Sequence, residues 1–489
     1  MRLLQNPESP PHSLYKVNDD STAVRNDGEV LEPANENIWY ILATIYGEQK
    51  FGQLDEELHR KNRRAWNGIT CAKLSVEERE KLASHFDIKV EELSPLTEGH
   101  ERELRQNIKA RTNGKITEIP VIEPGMMDFS HIYFPHRLVA RQFYFPDTIS
   151  FSSSIFHDGL DFTKAWFSKS LQFRYSHLMG ANIILNDVTF QKYVNFSKAI
   201  IATEINEFTG VEFEDFVFFD SVKFDSIYFT SSNFRKQAIF SKAHFNGSIR
   251  FKDVNFCGSA NFEDITAHTK MSFQNTKFEG KTTFQNGQFL GPLVMLESYF
   301  SRHVPIFYQT KMHHDTVFST QKNHWPPVSK DIAEQSKRAY TRLRQIMNTL
   351  QKDDDEHFFF RQEMAAKGFL EGPLYKVLSK LFKWTSDYGH SIGRPVSCFI
   401  AVTFLFSLIY YFGHWVELSQ DIKEGAVDAL GQSTANSFPF LGFQRLHYGP
   451  SFAATLPTYL KFLSGLQTVL SFVLFFLIGL GLSNRFRIP

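Results

Sequence analysis

Between Phe234 and Phe256 the chain reads FRKQAIFSKAHFNGSIRFKDVNF, with phenylalanine at 234, 240, 245, 251 and 256. The steps are six, five, six and five. A helix returns to one face every 3.6 residues and a strand every two, so neither sustains this beat. Forward, the series runs through Phe262, a gap at Ala267, Phe273, Phe278, Phe284 and Phe289. Backward, it runs through Phe229, Phe224, Phe218, Phe213 and Phe208, and an earlier stretch repeats it at Phe145, Phe151, Phe156, Phe162, Phe167, Phe173 and Leu178. Two residues before many of these rings stand Ala238, Ala243, Ile249, Val254, Ala260 and Met271. Positions i and i−2 share one face of an extended chain. Each unit therefore points two apolar residues inward, while the Ser, Lys, Asp, Asn and Gly between them suit corners. A chain that turns after every unit closes into a square coil. Stacked coils bury rings that no single coil can. The reading makes Phe229, Phe234, Phe240, Phe245, Phe251, Phe256, Phe262, Phe273, Phe278 and Phe284 structural core. It also accounts for 51 phenylalanines in 489 residues. The register loosens over 179–207, where Ile183, Ile184, Phe190, Phe196 and Ile201 stand in, so a bulged coil or small insertion is expected there.

The units FSKAHF (Phe240–Phe245) and FEDITA in the next coil carry the pattern and its drift. They resemble the Phe-rich branch of the pentapeptide-repeat family, whose units of the type F-S-x-A-x-F alternate steps of five and six. The resemblance covers roughly 127–310. It implies a right-handed quadrilateral β-helix of about eight coils, each of about 22 residues, roughly 40 Å long. Some members of the broader family mimic DNA, which needs an acidic surface. Here acids and bases nearly balance in the repeat, as they do across the chain at 53 each. Nucleic acid is therefore not an expected partner.

From Pro395 to Val416, and again from Phe462 to Asn484, no Asp, Glu, Lys or Arg appears. Each stretch is long enough to cross the hydrocarbon core of a bilayer as a helix. Lys376, Lys380, Lys383 and Arg394 precede the first span, and Arg485 and Arg487 close the second. The loop of 417–461 carries Glu417, Asp421, Glu424 and Asp428 against Lys423, Arg445 and Lys461. The positive-inside rule then puts both termini in the cytoplasm. That loop contains GAVDALGQSTANSFPFLGF, a short helix ended by Pro439. It either lies on the outer membrane surface or re-enters the bilayer. Two spans with a helical insert are similar to the subunit plan of simple cation channels, although no TVGYG-like filter run is present. Gln467, a polar residue within the second stretch, either faces a pore or bonds to a neighbouring helix. Gly479 and Gly481 permit close helix contact and favour an oligomer. The bilayer and either a protein partner or further copies of this chain are the expected partners.

Between repeat and spans, 331–392 reads as a helical hairpin connector and a juxtamembrane helix. Tyr340, Leu343, Ile346 and Leu350 form one apolar stripe and Phe358–Phe360 with Met364 another. The element WTSDYGHSIGRP (Trp384–Pro395) and the ending NRFRI resemble those of membrane-anchored pentapeptide-repeat proteins of bacteria. Asp387, Arg394, Arg485 and Arg487 are placed at the membrane interface, where Ser386 and Asp387 could cap a helix start and Arg394 could bind lipid phosphate, and where these residues either only set the helix-to-membrane angle or couple rod and spans mechanically. At the other end, 1–34 is Pro-, Asp- and Asn-rich and reads as a disordered tail. Residues 35–126 read as a separate small α-helical domain, containing an apolar helix (Asn37–Gln49), a capping-box helix from Ser75 with Glu78, and the basic HRKNRRAWNG (His59–Gly68), read as a solvated helix face that could alternatively contact nucleic acid or lipid.

Cys71, Cys257 and Cys398 lie far apart and form no CxxC pair, which suits a reducing compartment. No apolar leader is visible at the N-terminus. No GxxxxGK[ST], GxSxG or HExxH occurs, and His313, His314 and His324 fit no zinc spacing, so they are read as surface or cap residues beyond the last coil. No catalytic residue, cofactor or metal is assigned. The expected fold class is a multidomain α+β membrane protein, and the expected role a non-enzymatic, membrane-anchored scaffold or interaction platform. The rival is an oligomeric ion-conducting or membrane-perturbing effector with the β-helix as sensor or assembly domain. An active site in the N-terminal helices is the weakest alternative.

Overall fold

The structure, a computed structural model, describes residues 15–18, 21–49, 54–122, 125–418, 421–443 and 456–485. The chain divides into two compact units: Met1–Val328 with Arg338–Glu356, and Ser329–Lys337 with His357–Pro489.

The first unit is a four-sided β-solenoid. Its short strands pair in parallel with those one coil away: Phe234 with Phe256, and Phe256 with Phe278, 22 residues apart. Two sides are separate sheets of eight strands each, and the other two join into one larger sheet. Coils run from Met126–Asp128 to Ser298–Phe300. A partial ninth follows through Ile306, Lys311 and Val317–Phe318, so pairing continues past residue 310.

The five-and-six beat comes from the corners. Lys242, Asp253, Asp264, Asn275 and Asn286 stand 11 apart, each two residues after an inward Phe and each with left-handed φ. That conformation costs a non-glycine residue about 1–2 kcal/mol. It is retained because the corner N–H reaches the next coil, as from Lys242 to Glu263 O at 2.8 Å and from Asp253 to Gln274 O at 2.9 Å. The left-handed corners Tyr175 to Asp187 and Lys198 to Gly210 are 12 apart, and Ser221 to Ser231 only 10. Two coils thus gain a residue and the next loses one. In the lengthened coils the strands His177–Ile184 and Ile200–Thr209 run straight through a corner and pair along their length. Gly180 permits this: its φ is +92°, and a Cβ would sit 2.4 Å from His157 O. Asn206, fully buried, stands where Ile183 and Ile227 occupy adjacent coils, and donates to Ser226 O at 2.5 Å.

All ten phenylalanines assigned to the core are buried. Two columns run unbroken. One stacks Phe129, Phe151, Phe173, Phe196, Phe219, Phe240, Phe262, Phe284 and Phe307 at 4.8–5.0 Å between centroids. The other runs from Phe145 to Phe300 at 4.5–5.2 Å. Each stacked pair adds about 0.5–1.5 kcal/mol beyond its buried area. One assignment shifts: Phe219, not Phe218, occupies the column, because the coil before it carries the extra residue. Ser232, Thr276 and Thr310 also point inward, and their hydroxyls donate to Phe208 O, Phe251 O and Phe284 O at 2.8–3.1 Å.

The N-terminal residues are part of this unit rather than a domain of their own. Tyr15–Val17, Ala23–Arg25 and Val30–Pro33 form an antiparallel sheet, and the last pairs with Ile132–Phe134 of the first coil. The disordered tail expected over 1–34 does not hold for 15–18 and 21–34, while 1–14, 19 and 20 lie outside the described residues. The composition is polar, but Tyr15, Ala23 and Leu31 fall on one face and pack with Tyr133, Ile155 and Met179. Helix α1 (Ile38–Ala43) is shorter than its apolar sequence suggested. It is followed by α2 (Glu56–Thr70), α3 (Val76–Phe86) and α4 (Glu98–Arg111). The capping box of Ser75 and Glu78 opens α3. The basic segment on α2 is not a solvated face. His59, Arg63, Trp66 and Asn67 are buried against the first coil, with Trp66 stacked on Phe143 at 5.2 Å and donating to Tyr144 O at 2.9 Å.

At the other end Trp325 stacks on Phe300 at 5.3 Å, so Trp66 and Trp325 close the two ends of one column. Helix α5 (Ala333–Thr349) crosses the unit boundary. Its later turns belong to the solenoid unit, where Tyr340 is buried near Trp325 and Arg342 donates to Phe307 O at 3.1 Å. Helix α6 (Asp353–Leu370) passes into the second unit at His357. The two helices are thus shared between the units. His313, His314 and Asp315 lie within the ninth coil, between Lys311 and Val317, not beyond it.

Burial holds His59 and His177 neutral, each pushed down to about 4, with nearby cations reinforcing the shift: Arg63 for His59 and Arg25 for His177. Both are depressed below the unfolded value near 6.5. Their contribution is therefore intact above pH 6.5 and declines as pH falls toward 4. Each is expected to remove about 2 kcal/mol of stability by pH 5. Thermal midpoints of the wild type against His59→Gln and His177→Gln across pH 7.5 to 5 check this: the variants' midpoints should depend less on pH.

In the second unit, α6 leads to α7 (Pro373–Ser386), α8 (Gly393–Tyr410) with a π-helical turn at Tyr411–Trp415, α9 (Ile422–Ser437) and α10 (Thr458–Arg485). Gly393–Trp415 and Thr458–Arg485 are long and apolar enough to cross a membrane.

Candidate functional site

The solenoid interior is filled with side chains, so the chemistry-bearing interior of this protein lies in the second unit. It begins at an elbow. Asp387, Tyr388 and Gly389 have consecutive left-handed φ of 50°, 58° and 85°. They end α7; Ser386 and Asp387 therefore close a helix and do not open one as expected. Three contacts hold the turn. Ser386 Oγ accepts from Gly389 N at 3.1 Å, Tyr388 is buried against Phe360 and Phe382, and Asp387 pairs with Arg361 at 3.0 Å. Arg394 lies 3.8 Å from Asp387 and donates to Lys383 O at 3.2 Å, so its guanidinium ties α7 to the start of α8. Gly389 is needed at this place: a Cβ would come within 2.8 Å of Leu480, and its carbonyl accepts from Asn484 of α10 at 2.9 Å.

Beyond the elbow the helix of the intervening loop packs between the two long helices. Trp415 donates to Gln432 at 2.7 Å, Asn436 to Tyr410 at 3.1 Å, Thr403 and Ser437 share a hydrogen bond at 3.0 Å, and Phe438 meets the Phe399 ring at 5.4 Å. Contacts that descend α8 thus ascend α9, so the two are antiparallel. At 1.5 Å per residue, the C-terminal end of α9 lies about 9–15 Å from the start of α8. The sequence left this loop open between a surface-lying and a re-entrant path. Its helix packs one side against both apolar helices and leaves Ile422, Val427 and Leu430 exposed.

Gln467 sits at the centre, fully buried. Its Oε1 accepts from Tyr410 at 2.8 Å. Its Nε2 donates to Ser433 O at 2.9 Å, Ser433 Oγ at 2.7 Å and Ser437 Oγ at 3.0 Å. Ser433 in turn donates to Thr403 O at 2.6 Å. Of the two roles open to Gln467, the structure places it in helix-to-helix bonding. Apolar side chains of Phe406, Ala429 and Leu460 enclose the network. The opposite side of α9 is open, a cleft of about 490 Å3 lined by Val427, Asp428, Leu430, Gly431, Thr434, Ala435 and Phe443. The π turn leaves Gly413 O to Tyr459, whose hydroxyl donates at 2.8 Å.

The remaining sites divide. Gly481 faces Ile392 and Ser391, where a Cβ would approach within 3.1 Å, whereas Gly479 lies on the open surface of α10. Arg485 is exposed at the end of α10. Arg487 lies outside the described residues. His313, His314 and Asp315 hold three donor atoms within 4.8 Å, but His314 and Asp315 are exposed and already 3.3 Å from each other. Sequence reasoning missed Tyr410, Ser433, Asn436 and Ser437. The signal was there: Ser433, Asn436 and Ser437 stand at helical spacing, three and four apart, on one face of a segment between two apolar spans.

Fold and site together define a β-solenoid protein with a two-helix apolar hairpin and a packed insert. The family model Pentapeptide repeats (9 copies) matches residues 229–269, and the solenoid is a pentapeptide-repeat β-helix. No curated protein and no solved structure matches the chain.

Proposed function

We propose that this protein is a non-enzymatic scaffold anchored in the bacterial inner membrane, with both termini in the cytoplasm and its solenoid binding a protein partner. One observation carries the reading. The coils are filled by ring columns, one of them closed at both ends by tryptophans, which leaves recognition to the outer faces. Those faces carry both signs of charge in ladders across coils, such as Arg235 with Glu212 at 3.3 Å and Lys236 with Asp215 at 2.9 Å. Mixed charge of this kind suits a protein surface better than a polyanion. The test is stoichiometric co-purification of one soluble protein with the full chain in nanodiscs. Arg235→Glu with Lys236→Glu should remove it without changing thermal stability by more than about 1 kcal/mol. Absence of any stoichiometric partner counts against the scaffold.

A second reading, an oligomeric pore, is favoured by the antiparallel path of α9. That path brings a helix C-terminus, and its partial negative charge, to mid-depth between two apolar helices. The open side with Asp428 and Thr434 would face the neighbouring copy or the axis. The mass of the detergent-solubilised particle decides, because two spans of one chain enclose no aqueous path. A monomer removes this reading. An oligomer that passes cations across liposomes supports it.

A further inference from the structure

Helix α7 presents three different sides. Tyr375, Ser379 and Phe382 point into the unit, where Ser379 and Phe382 meet Tyr388 and Tyr375 meets Met364. A second side carries Leu374, Val377, Leu378, Leu381 and Trp384, which are 73, 56, 55, 52 and 71% exposed. At about 100° per residue these five fall within an arc of about 120°. Lys376, Lys380 and Lys383 occupy the third side. Five large apolar residues on one open helix face require cover. Two facts on this helix indicate which cover. The elbow fixes the end of α7 to the start of α8, seven residues after Ser386, where the first long apolar helix begins. And the flanking charge is all positive, with no acidic residue on α7.

We propose that α7 lies in the plane of the membrane as an amphipathic anchor. Its Leu374–Trp384 face is sunk at the acyl boundary, and Lys376, Lys380 and Lys383 bind the phosphates of anionic lipids in the leaflet where α8 begins. The inference rests on the membrane reading of α8 and α10, and adds to it a site with lipid preference. Long lysine side chains reach headgroups from the flank of a helix whose apolar side is buried. A tryptophan at the end of the apolar arc suits the interface. Arg361 and Arg394 hold Asp387, so the angle between α7 and α8 is set by charge-assisted bonds and does not depend on lipid alone.

The test uses the full chain with Cys257→Ser and Cys398→Ser, Cys71 being buried. Nitroxides are placed singly at Leu378→Cys, Lys376→Cys and Phe404→Cys, in nanodiscs of two parts phosphatidylcholine to one part phosphatidylglycerol. Collision with oxygen against a water-soluble nickel chelate reads depth. The label at 378 should sit below the phosphates, the one at 376 at or above them, and the one at 404 in the hydrocarbon. If 378 reports water while 404 reports hydrocarbon, α7 is not an anchor and the spans stand. If 378 is shielded from both reagents, protein covers the face and the proposal is overturned. If 404 also reports water, the membrane reading itself fails. Replacing the lysines by glutamine should lower the preference for co-purified phosphatidylglycerol by about five-fold each. An unchanged preference would remove the lipid-binding half of the proposal.

Discussion

Phe219→Ala is expected to destabilise the solenoid unit by about 3–5 kcal/mol, and Phe218→Ala by less than about 1 kcal/mol. The two residues are neighbours of the same chemistry, and only the register separates them. Phe219 is fully buried and stacks on Phe196 and Phe240 at 5.0 and 4.9 Å, with edge contact to Phe229 at 6.0 Å. Its loss leaves a ring-sized void that hydrogen-bonded backbone on all four sides cannot close. Phe218 points outward beside Phe216 and Tyr193, at centroid distances above 6 Å. Because coils contact only their neighbours, the damage should be local. Amide hydrogen exchange should speed first in Glu212–Phe213 and Ala238–Ile239, and much later near Phe145. Denaturant midpoints of the two variants supply the energies. Equal losses would mean that the register assigned to this coil is wrong.

That pair shows how far sequence alone carries. The beat of five and six is a consequence of left-handed corners every 11 residues, and a period that strict is legible wherever the coils keep it. Between Tyr175 and Ser231 the corner spacing goes 12, 11, 12, 11, 10. An inserted residue is silent in composition, and two adjacent phenylalanines hid the slip. The N-terminal cap was illegible for another reason. Val17, Val24 and Val30 stand among Asn, Asp and Gly, and such short strands are stable only because a coil edge offers Ile132 and Tyr133 to pair with. In the same way the basic residues of α2 read as solvent-facing until an open coil end is present for Trp66 and Asn67 to close. A solenoid end is a sheet edge that must be covered, and the covering elements take their structure from it. For the second unit, length and apolarity marked both long helices. The elbow was recognisable as a motif, but its physics depends on three consecutive left-handed residues that no spacing rule announces.

Gln467→Leu is expected to cost the helical unit about 2–4 kcal/mol, although it replaces a polar residue by an apolar one of similar size inside an apolar span. On hydropathy alone the change should stabilise a span. The geometry reverses the sign. Removing the amide leaves the Tyr410 hydroxyl and the Ser433 and Ser437 hydroxyls short of a partner in a low-dielectric interior, and α9 loses its four bonds to this side chain of α10. Steric-trap or denaturant unfolding in bicelles measures the loss. Val469→Ala, on the exposed side of α10, serves as a control near zero. Tyr410→Phe combined with Gln467→Leu should cost clearly less than the sum of the two, since each leaves the same bond unmade. The result also bears on the two readings of function. A glutamine lining an aqueous path would be solvated after replacement of its neighbours, and its loss would alter conductance while leaving stability nearly unchanged. A glutamine sealed between α8, α9 and α10 does the reverse, and any path in an oligomer must then run along the open side of α9, past Asp428 and Thr434.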